Sequence, residues 1–136
     1  LFVDEKGDRW APMAAAIASK AFPESGRYAS AGWEPEPALD PAVVAFLDER
    51  GYPVPEGPPA RMPTDHDALS KYHVIVSLQG EVRSRIPDPP FHPVILHWDG
   101  VHDRNRPDEA ALESDLKRIA HEIRELMELL RGEGAA

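Results

Sequence analysis

Leu1-Phe2-Val3-Asp4-Glu5-Lys6-Gly7-Asp8-Arg9-Trp10-Ala11-Pro12-Met13-Ala14-Ala15-Ala16-Ile17-Ala18-Ser19-Lys20-Ala21-Phe22 opens the chain and sets its fold class. The apolar Leu1 to Val3 reads as the end of a strand. It breaks at a polar stretch in which Gly7 permits a tight backbone path. Helix formers then run from Pro12 to Phe22, with Pro12 tolerated in a first turn and Pro23 closing the segment. The first unit is therefore strand, loop, helix.

Working outward, the same alternation recurs. Residues 27–33 read as a short strand ending in Ser30-Ala31-Gly32. A helix follows through residues 42–50, with Asp40 as N-cap, Pro41 at its first position and Gly51 beyond its end. Five prolines (Pro53, Pro55, Pro58, Pro59, Pro63) mark residues 52–63 as an extended loop. Thr64-Asp65-His66-Asp67 has capping-box spacing, with Thr64 as cap, and predicts a short helix to about Lys71. His73 to Leu78 is β-branched and nearly continuous, as a buried parallel strand would be. One or two helical turns are expected between Gly80 and Arg85, and Val94 to Trp98 reads as another short buried strand. Last, Leu112, Leu116, Ile119, Ile123, Leu126 and Leu130 form the stripe of an amphipathic helix over residues 108–131, about 36 Å long. Strands alternating with helices predict a doubly wound, four-stranded parallel sheet with helices on both faces. In such sheets ligands bind beyond the carboxyl ends of the strands, which directs attention to Asp4–Trp10 and Asp99–Asp103.

A length of 136 residues suits a single domain, taken as 1–136, and 42% hydrophobic with 29% charged residues is ordinary for a globular protein. Fifteen Lys and Arg against 24 Asp and Glu give a net charge of −9, the wrong sign for a nucleic-acid partner. No apolar run has the length of a spanning helix and no signal-peptide pattern opens the chain, so no membrane is expected and the expected location is the cytoplasm. Leu1 in place of methionine, on a strand already under way, predicts a segment of a longer protein. Zero cysteines exclude disulfides, cysteine-ligated metals and every thiolate mechanism.

Several of these stretches together resemble the low-molecular-weight protein tyrosine phosphatase family and its thioredoxin-linked arsenate reductase branch. Pro12-Met13-Ala14-Ala15-Ala16 is similar to the family's first helix start. Ser30-Ala31-Gly32, Leu39-Asp40-Pro41-Ala42-Val43, the segment from Asp67 to Leu78, and His97-Trp98 are similar to its later landmarks. The resemblance implies a phosphate loop at Asp4, Glu5, Lys6, Gly7, Asp8, Arg9 and Trp10, with Asp4 where the family has its nucleophilic cysteine and Trp10 where it has the arginine that grips phosphate. It also implies an acid loop at Asp99, His102 and Asp103, with His102 in the place of the acid and Asp103 in that of the proline that follows it. A cysteine-phosphate intermediate and a cysteine redox shuttle are both excluded in this chain.

Each candidate site also has a simpler reading. An Asp4 carboxylate beside a bound phosphate would repel each of its charges by roughly 4 kcal/mol at 4 Å and an effective dielectric of 20. The favoured expectation is that Asp4 satisfies the loop amides as an internal ligand. A retained neutral or cationic ligand and an aspartate-nucleophile hydrolase are the alternatives. Trp10 is expected either to fill the vacated phosphate slot, which is favoured, or to turn outward as a contact patch. His97, Asp99, His102 and Asp103 carry metal-ligand chemistry at no established spacing, so no metal and no cofactor are expected. His66, His73, His92 and His121 are scattered. The leucine stripe reads as core packing, with a homodimer seam as the alternative. The functional expectation is an inactive phosphatase-like domain acting as a binding or regulatory module, with a protein partner or a fused domain. The alternatives are a hydrolase that reuses Asp4 or the His102/Asp103 loop, and a purely structural or oligomerisation domain.

Overall fold

The computed structural model describes residues 1–79, 82–86, 93–98 and 108–135, without the side chains of 131–135. Strands β1 (Phe2–Asp4), β2 (Ser30–Gly32), β3 (Ala60–Arg61), β4 (Val74–Ser77) and β5 (Val94–His97) form one sheet in the order β3-β2-β1-β4-β5, every pairing parallel. The chain moves outward from β1 on one side and then on the other, so the switch point lies between β1 and β4. The sheet has five strands, not the four expected. The extra one is a two-residue edge strand inside the proline-rich stretch, anchored where Met62 N–H donates to Gly32 O at 2.8 Å. Two residues are too few to show a period, and proline is tolerated beside an edge strand.

Helices α1 (Trp10–Ala21), α2 (Pro41–Glu49) and α5 (Glu109–Ala135) cover one face, over Phe2, Val76 and Leu78. The short helices α3 (His66–Leu69) and α4 (Val82–Arg85) contribute Leu69 and Val82 to the other, over Val3, Ala31 and Ile75. Alternate residues of β1 and β4 thus serve opposite cores, which is why both strands read as continuous apolar runs. Every residue of α1 from Trp10 to Ala18 is buried. Its alanines let the helix lie close to the sheet and to α5.

Local signals explain most boundaries. The Asp40 carboxylate accepts from Ala42 N–H at 2.9 Å, Pro41 opens α2, and Gly51 beyond its end has φ +73°. Three expectations are corrected. Asp65 caps α3 in place of Thr64, accepting from Ala68 N–H at 3.1 Å. β5 is an edge strand and not a buried one, with Val94 54% exposed, because no strand follows it in the sheet. On α5 the buried stripe passes from Ile123 to Met127, while Leu130 is 40% exposed. A helix of 3.6 residues per turn drifts relative to a seven-residue repeat, which turns Leu130 away from the core. No helix among the described residues is long and apolar enough to cross a membrane.

Candidate functional site

The loop between β1 and α1 lies against the stretch that follows β2. Four loop carbonyls accept from it: Asp4 O from Trp33 N–H (3.1 Å), Glu5 O from Glu34 (2.8 Å), Lys6 O from Glu36 (3.0 Å) and Asp8 O from Asp40 (3.0 Å). The approach is close enough that glycine is needed on both sides. Gly7 has φ +67°, and a methyl group on Gly32 would sit against the Gly7 amide nitrogen and the Lys6 carbonyl carbon.

With its carbonyls held outward, the loop encloses the Asp4 side chain, which has no exposed surface. One carboxylate oxygen accepts from Gly7 N–H; the other accepts from Trp10 N–H at 2.9 Å and Ala11 N–H at 3.0 Å. Trp10 and Ala11 are the first two residues of α1, so the carboxylate sits where a helix N-terminus would hold an external anion. Desolvation by burial raises the Asp4 carboxyl above its usual range; the Ala11, Gly7 and Trp10 amides oppose that shift and the nearby Asp8 charge adds to it. The loop is therefore filled by its own side chain. Three of the four lone-pair positions of this carboxylate are engaged by loop and helix amides.

Trp10 is fully buried, which excludes an outward contact patch. Its indole Nε1–H donates to Asp115 Oδ2 on α5 at 2.8 Å, across 105 residues of sequence. The ring joins the core shared with Leu112 and Leu116. Its one donor thus goes to α5 and not to the phosphate loop. Arg9, one position earlier, stacks over that ring with its guanidinium carbon 5.3 Å from the centroid. Its Nη2 and Nε reach Asp40 Oδ2 at 2.7 and 3.1 Å, so the guanidinium braces the loop against the N-cap of α2. This pair is largely buried, at 7% and 15% side-chain exposure.

The rim is ionic. Glu5 pairs with Arg85 at 2.8 Å, and its amide donates to Gln79 Oε1 at 3.0 Å. Lys6 reaches Glu34 at 3.5 Å, and Arg85 lies over the Trp33 ring at 5.1 Å. Asp8 is buried. The structure thus brings residues 4–10 together around Asp4. Asp99, His102, Asp103 and His92 lie outside the described residues, and among those described no cluster could hold a metal. His97 ends β5, His66 starts α3, and His121 reaches Glu125 at 3.2 Å within α5.

Sequence reasoning missed Asp115 and the orphan donor of Trp33, whose buried Nε1 has no hydrogen-bond partner among the described residues. A signal for Asp115 was present: it lies three residues after Leu112 and four before Ile119, so it shares the apolar face of α5 and needs a buried partner.

No family model matches the sequence, and no match is found among curated proteins. Solved structures do match. The thioredoxin-dependent arsenate reductase of Corynebacterium glutamicum superposes with a TM-score of 0.77 at 22% identity, over 97% of this chain and 61% of that one. The chain thus spans about three fifths of that protein. Arsenate reductase from Archaeoglobus fulgidus gives 0.72 at 23% identity, over 93% and 96% of the two chains. The Escherichia coli K30 tyrosine phosphatase Wzb, solved with sulphate, gives 0.76 at 14% identity over 95% of both. The fold is that of low-molecular-weight tyrosine phosphatases and arsenate reductases, as the resemblance implied, in a chain without cysteine.

Proposed function

We propose that this chain is a catalytically inactive phosphatase-like domain that works as a binding or regulatory module. One observation carries the reading: the Asp4 carboxylate engages the Gly7, Trp10 and Ala11 amides from inside the loop. A covalently attached anion competes with any free oxyanion at every concentration, and a phosphate entering beside it would meet charge repulsion in a buried place. The missing thiol removes the nucleophile, and Trp10 supplies no cation. The module's partner would present a basic surface to a chain of net charge −9, and such binding weakens as salt rises.

Two measurements on the purified chain test this. Turnover of para-nitrophenyl phosphate or arsenate is expected at the buffer blank; activity that survives repurification and disappears in Asp4→Ala would instead establish a hydrolase built on Asp4. Millimolar phosphate is expected to leave the wild-type melting temperature where chloride of equal ionic strength leaves it, and to raise that of Asp4→Ala, whose amides are free. A phosphate shift in the wild type would refute the self-filled loop.

A further inference from the structure

The opposite, amino end of the strands holds a cavity of about 530 Å³ that no step above uses. It lies where three segments meet: the loop before β2, the turn between α3 and β4, and the far end of the apolar stripe on α5. Phe2, Tyr28, Tyr72, Val76 and Met127 supply apolar and aromatic wall. The Tyr28 hydroxyl already donates to Phe22 O at 2.7 Å, which leaves its ring to act as wall. Leu130, the residue that α5 turns away from the core, stands at the mouth.

The charge of this cavity runs against that of the molecule. Among the described residues its lining includes Arg27, Lys71 and His73 and no Asp or Glu, in a chain where acids outnumber bases by 24 to 15. The side chains of Arg27 and Lys71 are exposed and enter no hydrogen bond or ion pair among the described residues. Ring-bearing walls with the cations Arg27 and Lys71 at the rim fit a ligand that is flat and apolar at one end and anionic at the other. The volume falls in the range of about 300 to 1,000 Å³ usual for small-molecule sites.

We infer that this cavity is a binding site for a small aromatic carboxylate, its ring between the tyrosine, phenylalanine and methionine walls and its carboxylate toward Arg27 and Lys71. The site is separate from the Asp4 loop and goes beyond the reading of that loop as inactive.

Titration of the whole chain with 2-naphthoate, followed by calorimetry and by amide chemical shifts, tests it. Saturable binding below millimolar is expected, with shifts at Tyr28, Tyr72 and Met127. The uncharged 2-naphthamide should bind at least about tenfold more weakly. Arg27→Gln with Lys71→Gln, both exposed positions, should weaken naphthoate by about tenfold at an unchanged melting temperature, and Leu130→Glu should weaken it through a carboxylate at the mouth. Phosphate should not displace naphthoate, whatever it does at the Asp4 loop. Absence of saturation at millimolar naphthoate, equal affinity for the amide, indifference to both variants, or displacement by phosphate would each overturn the assignment.

Discussion

The two ends of the sheet have opposite characters. At the carboxyl end, where open parallel sheets generally bind ligands, Asp4 fills the loop, Arg9 is drawn to Asp40 and Trp10 to Asp115. At the amino end an open cavity carries cations and, among the described residues, no acid. The difference shows that the pocket expected from a fold and the pocket a chain leaves open can be different places. A site closes when its ligand's chemistry is supplied by the chain itself, because the attached group loses little further freedom on binding.

The comparison breaks most visibly at Trp10. Trp10→Ala is expected to cost about 3–5 kcal/mol in urea unfolding, the range for emptying a large core side chain. Trp10→Phe separates volume from hydrogen bonding, since it keeps most of the ring and deletes the donor to buried Asp115. A loss below about 1 kcal/mol for the alanine variant would mean that the indole is not a core element.

Next in size is Gly32→Ala, expected to cost about 3 kcal/mol, because the new methyl meets backbone atoms of Lys6 and Gly7 that cannot rotate away. Amide exchange at Gly7 should quicken in the same variant if the closed loop depends on this close approach. Unchanged stability and exchange would show that the loop closes without it.

Asp4→Asn should cost about 2 kcal/mol near neutral pH, since an NH₂ group then faces amide donors. Its pH dependence sharpens the point. Burial raises the folded-state pKa of Asp4 above the unfolded value near 3.8, so the folded chain binds the proton more tightly. The stability that this group contributes is full below the unfolded value and is lost as pH rises through the folded one. The difference in unfolding free energy between wild type and Asp4→Asn should therefore shrink as pH rises from the acid side. The opposite slope would mean that the three amides outweigh desolvation.

The smallest effect is expected on the rim. Lys6 and Glu34 pair at 3.5 Å with 33% and 71% side-chain exposure, so Lys6→Ala should change stability by less than about 0.5 kcal/mol. A larger loss would make the rim part of the loop's closure.

Much of this is legible in the sequence. The run from Leu1 to Phe22 predicts strand, loop and helix, and Asp40-Pro41 with Gly51 brackets α2, because caps and turns are read from neighbours a few residues apart. The self-ligation of Asp4 was legible as chemistry, since a carboxylate beside a helix start is attracted to free amides. The edge strand at Ala60 was hidden by prolines, and the exposure of β5 by its apolar content. Neither fact is local: edge and centre are defined by which strands lie alongside.

The sequence alone determined the alternation of strands and helices, the glycine at the tight turn and the absence of a thiol. Each is a property of one residue or of a short run, decided by backbone geometry or by side-chain chemistry. Tertiary structure decided the destinations: Trp10 with Asp115 across 105 positions, Gly7 against Gly32, and the basic residues of two separate segments around one cavity. Contacts of that kind are settled by the packing of α1 and α5 on a twisted sheet, and no spacing along the chain encodes them without it.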